Sequence, residues 1–161
     1  VSNPKNLTSS HRFKFTLTSE RFRNNQLELM INGINIPGMQ LGIVNHPTPI
    51  RQIERPGDSI TFNDLSIEFL ISENFTEWKE IYDWLYDLRD FNKMNFDNSI
   101  IADASLVILS SKLNPLVCFD FTNIYPYNLS DLNLTLSVSD SEPLICETTF
   151  KFQNYKFLSN I

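Results

Sequence analysis

At 161 residues the chain reads as one domain, residues 1–161, and a domain of that size buries roughly 70% of the surface its unfolded form exposes. Its 42% apolar content, thirteen Phe included, is enough for a core, while a net charge of −6 argues against a duplex-binding protein, which needs a basic surface to neutralise phosphates. No run of about 18 uncharged apolar residues occurs and the opening VSNPKNLTSSHR lacks the apolar centre of a signal peptide, so a soluble, non-exported protein with a flexible segment at residues 1–10 is expected.

Alternation dominates the first part of the chain. HRFKFTLTS sets Phe13, Phe15 and Leu17 against Arg12, Lys14 and Thr16, the period of a half-buried strand. LELMINGINI reads as a second extended run, bent or bulged at Asn32-Gly33. From Pro37 to Gly57 prolines enclose two short extended pieces, MQLGIV and IRQIER, and exclude a long helix. Pro56-Gly57-Asp58 reads as a turn, since Pro fixes its φ and Gly accepts a positive one. Ile60 and Phe62 then form a short strand, Asn63-Asp64 a break, and Ile67, Phe69 and Ile71 a further strand.

After Ser72 the period changes to that of a helix over 74–90. Phe75, Trp78, Ile81, Tyr82, Leu85 and Leu88 recur at steps of three and four, with charged residues between them. Asn74 and Glu77 have capping-box spacing. Asp87 and Asp90 oppose the dipole at the other end, and Trp84 flanks the main stripe as a core residue. The candidates for helix packing are Phe75, Trp78, Ile81, Leu85 and Leu88. Beyond the asparagine-rich segment NKMNFDNSIIAD, four strand candidates follow: ASLVILSS, PLVCFDF, DLNLTLSVS and ICETTFKFQNYKFL, the last with a phase slip at Gln153-Asn154. About eight strands with one packed α-helix predict a mainly β (α+β) domain, a β-sandwich or small barrel.

Signals for chemistry are missing. His11 and His46 show no metal-ligand spacing, and the four glycines form no GxSxG, P-loop or GxGxxG. The helix carboxylates read as a solvated face. No catalytic, metal or cofactor residue is expected, and Cys118 and Cys146 read as buried reduced thiols. Charge is divided unevenly: Val1 to Pro56 carries 7 basic and 3 acidic residues, Gly57 to Ile161 carries 6 and 16. Solvated surface charge explains this partition, and so does contact between copies, basic face to acidic face.

Arg51-x-Ile53-x-x-Pro56-Gly57-Asp58-x-x-x-Phe62-x-Asp64-Leu65-x-Ile67, followed by a strand, an acidic turn and one helix with Trp84 near its end, resembles the tail tube protein family of contractile-tailed bacteriophages. Ile124-Tyr125-Pro126-x-x-Leu129-Ser130-x-Leu132-x-Leu134 resembles that family's aromatic-Pro turn before a strand, and FKFQNYKF its final strand. In order, the matches span Phe13 to Phe157. The resemblance, which extends to the tube of type VI secretion systems, implies a structural virion protein whose homohexameric rings stack into the inner tail tube. DNA and tape-measure protein pass through that tube without specific binding. Implied partners are further copies, the tail sheath, the baseplate tube initiator and the tape-measure protein, with no membrane binding; the implied place is the virion tail, assembled in the host cytoplasm. Major tube subunit, initiator and terminator all fit.

A sheet edge left open in one copy is closed by the next copy in a ring. On that ground residues 37–57 are the candidate assembly hairpin, and Arg51, Ile53, Arg55 and Asp58 the candidate subunit-interface residues. In IRQIER, alternation sets Arg51, Ile53 and Arg55 on one side, where the arginines would meet acidic groups of a neighbour. The reading from a different class is a monomeric β-sandwich ligand-binding module with Tyr125 and Tyr127 as its platform.

Overall fold

The computed structural model describes residues 12–90, 100–136 and 142–159; the segment at residues 1–10 lies outside them. The strands are β1 (Phe13–Thr18), β2 (Gln26–Glu28), β3 (Ile31–Asn35), β4 (Met39–Pro47), β5 (Gln52–Phe62), β6 (Leu65–Leu70), β7 (Ala102–Leu109), β8 (Pro115–Leu129), β9 (Ile145–Lys151) and β10 (Asn154–Ser159). Between β6 and β7 runs the helix α1 (Thr76–Arg89). The domain is mainly β with one packed helix, as the alternation predicts.

The principal sheet is antiparallel in the order β2-β1-β7-β8-β9-β6-β3, with β10 also paired to β8, and β4 and β5 form a separate hairpin. β8 is where the sheet turns. Val117 to Thr122 pair with β10, whereas Tyr125 to Leu129 pair with β9. Asn123 stands between the two pairings at φ 54, a left-handed conformation that asparagine tolerates better than most residues. Its backbone N–H donates to Asp103 Oδ1 at 3.1 Å, which satisfies the group at the corner.

Side chains from both halves of the sheet meet in one core: Phe15, Leu17, Leu106 and Phe121 from one, Leu65, Ile67, Phe69 and Phe150 from the other. Helix α1 closes it with Ile81 and Trp84, both without exposed surface. Trp84, read as flanking the stripe, is thus at its centre. Its Nε1–H donates to the Ile100 carbonyl at 2.6 Å, and its ring meets Phe22 edge-on at 5.5 Å. The Arg21 guanidinium covers the ring at 5.4 Å and pairs with Asp87 at 2.7 Å, so the carboxylate unfavourable to the helix dipole is neutralised from outside the helix.

Several local expectations are corrected. LELMINGINI is not one run: Leu29 enters the core, and the chain passes from β2 at one margin of the sheet to β3 at the other. Pro56-Gly57-Asp58 is not a turn but part of β5, where the register slips between Leu41 and Ile43. No glycine has positive φ among the described residues. What Gly57 provides is proximity, because a Cβ there would lie 2.8 Å from the Gly42 carbonyl oxygen. Tyr125-Pro126 is likewise strand, with a register shift between Pro126 and Asn128. DLNLTLSVS contributes no strand among its described residues, which end at Leu136; its last three, Ser137 to Ser139, lie outside them.

The helix start differs from a capping box on Asn74. The N-cap is Phe75, left-handed at φ 53 and ψ 27 with no side-chain cap, and it is 39% exposed, so it is not a core packing residue. Glu77 instead reaches back to Ser72, accepting from its hydroxyl at 2.7 Å and its backbone N–H at 3.3 Å. Burial raises the Glu77 pKa, but the Ser72 bonds together with one from the Glu77 backbone N–H outweigh it and leave the carboxyl below its ordinary value. A group depressed in the folded state contributes stability above its unfolded pKa and loses it as pH falls through the folded one. Glu77→Ala is therefore expected to cost about 1 kcal/mol at neutral pH. In urea melts from pH 7 downward, its gap from the parent should narrow only below the ordinary glutamate range.

Candidate assembly interface

The sheet has open margins. Among the described residues no strand covers the outer side of β3 or of β10, so their backbone groups are available to another chain. β10 also carries Phe157 and Leu158, exposed by 59% and 43%.

The larger feature is the β4–β5 hairpin. In register, Leu41 faces Ile60 and Ile43 faces Pro56 on one side, while Val44 faces Arg55 and His46 faces Ile53 on the other. Leu41, Ile43 and Ile60 are 52%, 65% and 55% exposed. A two-stranded ribbon is marginal alone in water, and this one has a face rich in aliphatic side chains. Its root is fixed: Phe62 packs on Phe152 and Tyr155 at 5.5 and 5.3 Å, and the Tyr155 hydroxyl donates to the Pro37 carbonyl at 3.1 Å. Beyond the root β4 continues for nine residues, about 30 Å of extended chain.

The predicted interface residues fall on this arm. Arg51 lies at its tip, where its carbonyl accepts from the Thr48 backbone N–H at 3.2 Å. Ile53 and Arg55 share one face of β5, as the alternation required, and Asp58 sits in the irregular stretch opposite Gly42. Among the described residues neither arginine has a carboxylate partner.

A second surface lies beside α1. Trp78, Tyr82 and Tyr86, spaced four apart, form an aromatic ladder with ring centroids 5.1 and 4.8 Å apart. With Tyr127 and Asp131 they line a hollow of about 600 Å³. Across Leu85, Arg89 and Tyr127 it adjoins a more apolar hollow of about 530 Å³ that includes Tyr125. Tyr125 and Tyr127 are therefore exposed here, as the platform reading requires. Tyr82 and Tyr86 are exposed too, although Tyr82 keeps the spacing of the apolar stripe. Only packing on β8 tells which side of so broad a stripe is covered. Leu85 and Leu88 lie partly buried against the core. Trp78 does too, and its Nε1–H is buried without an acceptor among the described residues.

Where the hairpin root approaches this groove, Asp64 accepts from the Tyr127 hydroxyl at 2.7 Å and from Lys151. The Lys151 and Tyr127 bonds hold its carboxyl below the usual range. No His, Cys, Asp or Glu cluster fit to hold a metal occurs among the described residues. Cys118 and Cys146 are buried and unbonded to each other. Burial, with Asp120 nearby, pushes the Cys118 thiol up to about 11, and burial raises Cys146 as well, so neither thiol is poised as a nucleophile.

An antiparallel sheet with uncovered margins and an apolar arm anchored at its root leaves surface for a further chain to cover. The chain belongs to the phage tail tube protein family, which it matches over residues 3–158. It is 23% identical over 144 residues to the tail tube terminator protein of Enterobacteria phage T4, a match covering 86% of this chain and 80% of that protein. Solved structures of the same fold include two from one contractile injection system. One is the sheath/tube terminator of the PVC extracellular contractile injection system, with TM-score 0.71, 11% identity, and coverage of 98% of this chain and 100% of that one. The other is a chain of that system's sheath-tube complex, with TM-score 0.69, 12% identity, and coverage of 98% and 95%.

Proposed function

We propose that the chain is a structural, non-enzymatic subunit of a contractile phage tail, forming a homohexameric ring that continues or ends the tail tube. The observation that carries this reading is the hairpin: an ordered arm with aliphatic surface in water, anchored on the core at one end only. Such a surface left facing water marks an interaction site. Ring closure also covers the margins of β3 and β10, which in a lone copy invite uncontrolled pairing. The acidic net charge suits a conduit through which DNA slides, because a basic wall would hold phosphates. Sheath, baseplate initiator and tape-measure protein are the tail partners this role requires, with assembly in the host cytoplasm.

The sequence relation to the T4 terminator favours a position at the end of the tube. The major tube subunit is the second reading, supported by the comparable fold likeness to a chain of a sheath-tube complex. Quantitative mass spectrometry of purified particles separates them. One ring's worth of this chain per tail is the expected result. Copy numbers matching many stacked rings make it the major subunit, and its absence from particles overturns both.

A further inference from the structure

We propose that the basic face of the hairpin tip, carrying Arg51, Ile53 and Arg55, docks into the aromatic groove beside α1 of a second copy. The inference rests on the ring-subunit reading above and adds the surface that receives the arm.

Reach decides that the contact is between copies. The groove borders the hairpin root, because Tyr127, which lines it, is bonded to Asp64 two residues beyond the end of β5. The tip stands about 30 Å from that root on extended strands. It cannot fold back onto its own groove without breaking the β4–β5 ladder, so the groove within reach of a tip belongs to another molecule.

Chemistry supports the fit. Rings at the groove already hold cations within the chain: Arg89 over Tyr86 at 5.4 Å and Lys151 over Tyr127 at 4.8 Å. Guanidinium groups on tyrosine faces are the interaction the tip offers twice. Arg89 is accompanied by Asp90 at 3.7 Å and Lys151 by Asp64, which leaves Asp131 the unpaired carboxylate of the groove among the described residues. Ile53, between the two arginines, meets the apolar wall formed by Leu85 and Leu129. The division of charge along the sequence, basic before Gly57 and acidic after it, is then a device for ordered contact between identical molecules.

The test mixes two full-length variants, Arg55→Cys and Asp131→Cys, under mild oxidation with tail tubes of the same virus present; peptide mass spectrometry then identifies the linked residues. The expected product is a covalent dimer joined 55 to 131. Adding Arg51→Ala to the first variant should lower its yield several-fold, since it removes the guanidinium left to stack on the tyrosine faces. Electron microscopy of the unmodified chain runs alongside. Rings without any 55–131 link overturn the docking and leave the ring reading standing. A 55-link to the tube subunit instead of a second copy also overturns it, whereas absence of rings with the tube supplied overturns the ring reading itself.

Discussion

A triple variant, Leu41→Thr, Ile43→Thr and Ile60→Thr, is expected to fold like the parent and to lose ring formation. All three side chains are more than half exposed in the single copy, and exposed substitutions away from special features stay within about 0.5 kcal/mol each. Threonine has the β-branching that suits a strand. In an assembly the effect is different. Burying the half of each side chain now in water is worth about 1 kcal/mol. The three together then change the association constant about a hundredfold at each contact, and every subunit of a ring makes two such contacts. Urea melts should superpose within about 1.5 kcal/mol, while sedimentation with tail tubes as template should leave the variant unassembled. Rings at the parent's concentration would remove the hairpin from the assembly interface.

Trp84→Ala is expected to have the opposite profile, a loss of folding itself. The indole has no exposed surface. It meets Phe22 and Phe150 at 5.5 and 6.2 Å, donates to Ile100 and supports the guanidinium of Arg21. Truncation of so large a buried aromatic costs about 3–5 kcal/mol, equivalent to a fall in Tm of roughly 6–20 °C for a domain of this size. Trp84→Phe restores most of the packing but leaves the Ile100 carbonyl without its donor, so about 1–3 kcal/mol of the loss should remain. Differential scanning calorimetry of both variants checks the order. An alanine variant melting within a few degrees of the parent would mean that the helix is not anchored through this residue.

The contrast between these two sites follows what could be read before any fold was known. The strand around Phe15 and Leu17 was legible because a period of two gives the face that is buried, whatever lies opposite. Helix α1 was legible from its period, but not its start. The bond from Ser72 to Glu77 has the capping chemistry two residues earlier than the Asn74 spacing suggests, and a left-handed Phe75 has no signature in composition. The Pro-Gly-Asp stretch misled because the residues that make turns also make irregular strand, and only the partner strand, with Gly42 against Gly57, distinguishes the two.

The sequence by itself determined the class of the domain, the helix after Ser72 and the placing of Ile53 with Arg55 on one face of a strand. These depend on neighbours along the chain, and alternation or spacing records them directly. Tertiary structure alone decided that β2 and β3 lie at opposite margins, that Trp84 rather than Phe75 anchors the helix, and that Tyr82, Tyr86, Tyr125 and Tyr127 gather beside it. Each of these requires segments distant in sequence to meet, and local periodicity is the same whether the facing surface is core, solvent or another molecule.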